Sequence, residues 1–359
     1  MKPTLVVGIK PWKQWQITPF LKPRFGDLKY LRSPAAALRE ATLEGRRIVI
    51  WAAREPAGFA EAAASKGAAI IRMEDGFLRS VGLGSNHVGG NSLVVDEQGI
   101  YFDPRTPSAL ETLLQHAAFD AGLLARASAL RQLLVQQGLT KYNTGSRTPQ
   151  VITARQGQPR LLVPGQVEND ASLRLGSPAV RGNLELLQKV RAAHPQAFII
   201  YKPHPDTEAG TRPGRLKDRI VLRHANQIVR DVSVTALFPH IDAVHTMTSL
   251  VGFEALLREA PVFTWGQPFY AGWGLTHDQL PNPRRTRRLS LDELVAAVLI
   301  RYPLYLHPDT GLPCEAEDIT RHLATQGSAD PRQQRSALRR LARQSMGLIR
   351  SLKAAREHR

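Results

Sequence analysis

Two series of short apolar runs, each followed by a stretch of helical pattern, organise the chain. Residues 5–9 (LVVGI), 47–51 (RIVIW) and 68–73 (AAIIRM) read as buried strands. The Ala/Leu/Glu-rich stretch 33–44 and the Ala-rich stretch 57–66 between them read as helices. Residues 93–95 and 100–102 resemble a hairpin turning over 96–99, and residues 108–137 form a long helical stretch. Gly157-Gln158-Pro159 then breaks the chain, and the alternation restarts. Strands are expected at 160–164, 197–201, 220–222, 243–245 and 261–264. Helices are expected at 183–193, 232–238 and 249–258. Unbroken β-branched runs alternating with helices mark parallel sheets covered on both faces. The fold class is therefore α/β, with two Rossmann-like domains at 1–156 and 157–328 facing a central cleft, where ligands of such folds bind. Residues 329–359 form a basic tail of helical spacing: from 331 onward it carries nine Lys/Arg and one acid, Glu357. Such a tail suits an anionic membrane surface or packs on its own domain.

The length of 359 residues accommodates two domains, and 43% hydrophobic residues supply two cores. The net charge of +17 predicts attraction to polyanions. The single cysteine, Cys314, excludes an internal disulfide and a cysteine metal site. The apolar run 5–9 is too short for a signal-peptide core, and no stretch approaches a membrane span. No complete G-x-G-x-x-G or P-loop is present, since Gly82-Leu83-Gly84 lacks its third glycine, which argues against a dinucleotide oxidoreductase or a P-loop kinase.

Five segments follow strand ends, where α/β folds place their chemistry. Glu74-Asp75-Gly76-Phe77-Leu78-Arg79-Ser80 sets two adjacent carboxylates at a strand mouth, where each raises the pKa of the other and one serves as a base. A solvated turn or an N-cap is the plainer reading. Gln166-Val167-Glu168-Asn169-Asp170 opens the second half; Asp170 is a nucleophile or a helix cap. Lys202-Pro203-His204-Pro205-Asp206 holds a cation and an imidazole between prolines that fix φ, a phosphate site in form. Thr248 and Ser249 start a helix, where hydroxyls and free N–H groups bind phosphate or simply cap, and Glu254 lies just over a turn further on. Trp265, Gln267, Tyr270 and Trp273 lie in a Gly- and aromatic-rich loop that covers a ring or packs on its own domain. Arg284, Arg285, Arg287 and Arg288 face an anionic acceptor or form a solvated face.

These segments resemble the bacterial retaining β-Kdo transferases of capsule synthesis, the KpsC and KpsS type. The likeness runs from Gly8-Ile9-Lys10-Pro11-Trp12-Lys13 to about His307 and is strongest in E-D-G-F-L-R-S, Q-V-E-N-D-A-S, K-P-H-P-D and the run from Thr248 to Gly274. KpsC carries two such modules; this chain carries one, most similar to the second. A weaker likeness to bacterial sialyltransferases rests on Glu74-Asp75-Gly76, His204-Pro205 and Thr248-Ser249 and points to a CMP donor. The resemblance implies a GT-B-like transferase that takes Kdo, an acidic ulosonic sugar, from CMP-Kdo without a metal or cofactor. It implies Asp170 as nucleophile and Glu74, beside Asp75, as base. Lys202, His204, Thr248 and Ser249 then hold phosphate, with Gln166, Asn169 and Glu254 at the donor and Arg79 on the Kdo carboxylate. The expected partners are a lipid-linked glycan acceptor, the anionic inner-membrane surface and other capsule synthesis and export proteins, on a cytoplasmic, peripheral enzyme. The competing readings are a transferase or epimerase for another CMP- or UDP-activated sugar, and a non-enzymatic polyanion-binding protein. No helix-turn-helix, RRM or zinc pattern supports nucleic acid as the partner.

Overall fold

In a computed structural model, the described residues are 2–41, 46–80, 90–141, 143, 145, 146, 148 and 152–327. The basic tail and Gly82-Leu83-Gly84 lie outside them. The first half contributes the strands β1 (Thr4–Val7), β2 (Leu28–Leu31), β3 (Arg47–Trp51), β4 (Ala69–Asp75) and β5 (Ser92–Asp96). Helices α1 (Pro11–Phe25), α2 (Pro34–Glu40) and α3 (Phe59–Ala64) connect the first four, and α4 (Ala109–His116) and α5 (Ala121–Gln136) follow. The second half contributes β6 (Arg160–Pro164), β7 (Phe198–Lys202), β8 (Gln227–Ile228), β9 (Ala243–Thr246), β10 (Val262–Thr264) and β11 (His277–Asp278). Its helices are α6 (Ala171–Gly176), α7 (Asn183–Ala193), α8 (Pro205–Glu208), α9 (Asp218–Val221) and α10 (Leu250–Leu256). The chain ends in α11 (Leu291–Val295), a π-helical turn (Ala296–Arg301), β12 (Pro303–Tyr305) and α12 (Ala316–Gly327).

Two six-stranded sheets result, ordered β12-β5-β4-β3-β1-β2 and β11-β10-β9-β6-β7-β8. All pairs of the second sheet are parallel, as are those among β1 to β4. Strand β5 runs antiparallel to both β4 and β12. The two-sheet α/β architecture is thus the one the pattern predicts. Residues 303–305, within the span expected for the second domain, pair with β5 of the first sheet.

Several local expectations are corrected. Residues 100–102 form no strand: Ile100 and Phe102 are buried in a turn, and β5 finds its partner in β12 instead. Residues 220–222 belong to α9 and the residue after it, and the short strand falls at 227–228. Residues 232–238 hold 3₁₀ turns rather than an α-helix. The stretch 108–137 is two helices, each begun by its own cap, Ser108 and Asp120.

The halves meet through an aromatic cluster. Phe77 lies 4.9 Å from both Tyr101 and Phe269, and 6.3 Å from Phe253. The segment after β4 is thereby packed against α10 and the segment after β10. Arg284 and Arg285 reinforce this join, both pairing with the buried Glu111 on α4, at 2.6 and 3.1 Å. Arg287 pairs with Glu293 and donates across to the Ala117 carbonyl, both at 2.7 Å. These three arginines therefore lock the two halves together instead of facing an acceptor; Arg288 is exposed. Among the described residues, no helix is long and apolar enough to cross a membrane.

Candidate active site

A cleft of about 770 Å³ opens where β4 of one sheet and β6, β7 and β9 of the other end. Parallel strands deliver their C-terminal residues to one edge, so residues distant in sequence converge there. Glu74, Asp75, Gln166, Asp170, Lys202, His204, Thr248, Ser249 and Glu254 all line it.

The first wall is built on charge. Glu74 and Asp75 are the last two residues of β4 and are partly buried. Asp75 accepts from Arg79 Nε at 2.9 Å and from Lys13 Nζ at 3.3 Å. Burial alone raises the Asp75 carboxyl, but Arg79, Lys13 and Lys141 outweigh it and hold the group below its usual value. Glu74 lacks such a clamp. Among the described residues its carboxylate accepts only weak backbone bonds, from Ala53 N–H at 3.3 Å and Asp75 N–H at 3.2 Å. Burial, and after it the neighbouring Asp75 charge, push its pKa up to about 7. One carboxylate of the pair thus stays ionised while the other exchanges a proton near neutrality.

The second wall is built on neutral hydrogen bonds. Asp170 is the N-cap of α6; its Oδ1 accepts from Ser172 N–H at 3.0 Å and Ser172 Oγ at 2.7 Å. Oδ2 has no hydrogen-bond donor among the described residues and is left to the cleft. Gln166, at the end of β6, bridges to the end of β9. Its Oε1 accepts from Thr248 N–H at 3.0 Å, and its Nε2 donates to Thr248 Oγ1 at 3.0 Å. Thr248 Oγ1 in turn lies 3.4 Å from Ser172 Oγ, so Gln166, Thr248, Ser172 and Asp170 form one chain of contacts.

Lys202 ends β7 and His204 follows it. Burial lowers the Lys202 pKa, with Asp231 opposing. Burial also lowers that of His204, against Asp206 and Asp170, so the imidazole is neutral over a wider range than usual. His204 Nδ1 accepts the Asp206 N–H at 3.1 Å, which puts the ring proton on Nε2. Gly165 allows β6 to pass this turn, because a Cβ there would stand 2.6 Å from the Tyr201 hydroxyl. Ser249 caps α10, accepting the Val251 N–H at 3.2 Å. Glu254, buried on α10, is pushed up to about 7 by desolvation and accepts the Lys141 N–H at 3.0 Å.

Six expected site residues have other places. Arg79 does not line the cleft: it is 2% exposed and committed to Asp75, which argues against its pairing a sugar carboxylate. Asn169 is exposed and accepts from Arg212 at 3.0 Å, away from the cleft lining. Tyr270 and Trp273 are fully buried. Tyr270 donates to the Ser249 carbonyl at 2.5 Å, and Trp273 Nε1 donates to the Phe269 carbonyl at 2.9 Å. They build the support under Ser249 and cover no ligand. Gly252 makes room for this bond, since any Cβ there would overlap the Tyr270 phenol. Trp265 packs at 3.4 Å from His245 Nδ1, and Gln267 bonds the Pro281 carbonyl at 2.9 Å; neither lines the cleft. Sequence reasoning gave no role to Lys13, Lys141 or Ser172. Lys13 and Lys141 lie far from Asp75 in the chain, and only folding brings them to it.

A family model described as "Capsule polysaccharide biosynthesis protein" matches residues 46–305. "Capsule polysaccharide modification protein LipA" of Neisseria meningitidis serogroup B is 44% identical over 322 residues, covering 89% of this chain and 45% of LipA. The chain thus spans about half the length of that relative. "Lipopolysaccharide-processing protein LpsZ" of Rhizobium meliloti is 38% identical over 337 residues, covering 92% of this chain and 76% of LpsZ. Among solved structures, "Thermosulfurimonas dismutans KpsC, beta Kdo 2,7 transferase" aligns with a TM-score of 0.75 at 35% identity, over 90% of this chain and 99% of that one. The "beta Kdo 2,4 transferase" of the same organism's KpsC gives 0.77 at 30% identity, with the same coverages of 90% and 99%.

Proposed function

The chain belongs to the capsule polysaccharide biosynthesis family, and from that premise we propose that it transfers β-Kdo from CMP-β-Kdo to a Kdo-terminated or lipid-linked acceptor, with retention of configuration. The observation that carries this reading is the opposition of the two walls. A carboxyl that titrates near neutrality, Glu74, shares one cleft with an oriented carboxylate, Asp170, and a cluster of phosphate-binding groups. In this reading the first half binds acceptor and the second binds CMP.

The donor phosphate meets the Lys202 ammonium, the Nε2–H of His204 and the hydroxyls of Thr248 and Ser249. Asp170 Oδ2 attacks the anomeric carbon; the bond to the phosphate oxygen breaks, and CMP leaves with the electron pair. The acceptor hydroxyl then attacks the glycosyl-aspartate from the opposite face and gives its proton to ionised Glu74, and the Asp170 carboxylate is released. Two inversions give retention. Asp75, held by Lys13 and Arg79, keeps Glu74 basic enough for this step. CMP departs onto the Lys202 ammonium and neutral hydrogen-bond donors, with no metal called on. A lipid-borne acceptor fits the net charge of +17, which draws the protein to an anionic surface.

The test is transfer from CMP-Kdo generated in situ to a Kdo-terminated glycolipid, with intact-protein mass spectrometry on the same sample. A Kdo-extended lipid together with a protein mass increase of one Kdo is the expected result. Absence of both product and CMP release, with active controls, would refute the donor assignment and bring UDP-sugars forward.

A further inference from the structure

Helix α1 carries apolar side chains on two faces, and one of them packs into the core. Ile17, Phe20, Leu21 and Phe25 point into the core of the first half. On the other side Trp15 is 71% exposed and Trp12 38%, two of the four large hydrophobic side chains that stand exposed among the described residues. Residues three or four apart share a helix face, so Trp12, Trp15, Pro19 and Lys22 form one outward stripe along about 15 Å of helix. No acidic residue occurs before Asp27, whereas Lys2, Lys10, Lys13, Lys22 and Arg24 do. Exposed tryptophans among lysines, on a segment without acids, have the composition of a helix that lies in a lipid headgroup layer. The start of this helix also touches the cleft, because Lys13 lies 3.3 Å from Asp75.

We propose that the Trp12–Trp15 face of α1 seats the protein on an anionic bilayer, with the Glu74–Asp75 wall of the cleft turned toward the headgroups. The occupant follows from charge: the segment is uniformly positive, and the tryptophans supply amphipathic rings suited to the boundary between headgroup and acyl chain. This deepens the proposed function, on which it rests only for the identity of the lipid-borne substrate that this orientation admits. The acceptor then meets the base directly, while the donor enters from the side of the second sheet.

Full-length protein is mixed with phosphatidylglycerol–phosphatidylethanolamine vesicles carrying brominated acyl chains, and separately with neutral phosphatidylcholine vesicles carrying the same chains. Tryptophan emission is expected to shift to the blue and to be quenched with the anionic vesicles only. The double variant Trp12→Ser/Trp15→Ser should lose that quenching and bind about tenfold or more weakly. Lys22→Glu should weaken binding about fivefold or more at low salt, with the tryptophans retained. All variants should keep the wild-type melting curve, since neither tryptophan belongs to the buried core. Wild-type binding without tryptophan quenching, or a double variant that binds as tightly as wild type, would overturn the proposal and move the contact to the basic segment 331–359. The double variant should also turn over a water-soluble acceptor at the wild-type rate. If wild type transfers nothing to any acceptor, the function fails while the vesicle result stands by itself.

Discussion

The two walls of the cleft reach readiness by opposite means. On the first-sheet wall, burial and charge do the tuning: Arg79 and Lys13 hold Asp75 ionised, and burial together with the Asp75 charge keeps a proton on Glu74 up to about pH 7. On the second-sheet wall, neutral hydrogen bonds aim the groups, with Ser172 fixing one oxygen of Asp170 and Gln166 fixing Thr248. Charge suits a group that must exchange a proton during the reaction, because small field changes move its pKa. Neutral hydrogen bonds suit groups that must hold position while a phosphate leaves.

This contrast is sharpest at Asp170. Replacement by Asn preserves the cap to Ser172 but removes the proposed nucleophile, so transfer and the covalent protein adduct should both vanish while CMP affinity by calorimetry stays near wild type. Loss of CMP binding in Asp170→Asn would make that residue part of the donor site and collapse the distinction. The next largest effect belongs to Glu74→Gln, which should slow transfer about 10²–10⁴-fold. The base must be ionised, so wild-type kcat/KM should rise as pH increases through about 7, and the variant should show no such rise. Stability follows the reverse sign. Glu74 and Glu254 hold protons in the folded state that the unfolded chain releases above about pH 4.5. The wild-type melting temperature should therefore fall between that pH and about 7, and Glu254→Gln should flatten the fall.

A smaller change is expected from Gln166→Ala. It leaves the Thr248 N–H without its acceptor, at a cost of about 1–3 kcal/mol, and should raise the donor KM about tenfold with less effect on kcat. The smallest is Tyr270→Phe, which removes one bond to the Ser249 carbonyl and should lower stability by about 1 kcal/mol, read as a modest drop in Tm. Were Gln166→Ala to move the pH profile instead, the walls would be electrostatically coupled and the contrast between them false.

Both sheets were readable from the sequence wherever strands are buried on two faces, because the β-branched runs then carry the signal alone. Edge strands were not. Leu28–Leu31 has only partly buried or exposed positions, and Pro303–Tyr305 begins with a proline that an edge strand tolerates and a central one does not. The apolar triplet at 100–102 misled because burial in a turn leaves the same composition as burial in a strand. At the site, segments that follow strand ends announced themselves, and Glu74, Asp170, Lys202, His204, Thr248 and Ser249 do share a cleft. The aromatic loop at 265–273 did not reveal which way its rings point. Pattern alone cannot separate Tyr270 supporting Ser249 from a tyrosine covering a ligand. Lys13 and Lys141 carried no local mark, since their partner Asp75 lies on another element.

The return of β12 to the first sheet has a mechanical consequence. The chain passes from the first half to the second between α5 and β6, and passes back before Pro303, so the halves are joined by two strands of chain. A door hung on one hinge can swing or twist; hung on two, it swings about the line between them. The Phe77–Phe269 contact and the Glu111–arginine pairs add side-chain ties between the halves beside those two connections. Cutting the chain before residue 303 would remove the second hinge and leave the halves joined by chain only between α5 and β6.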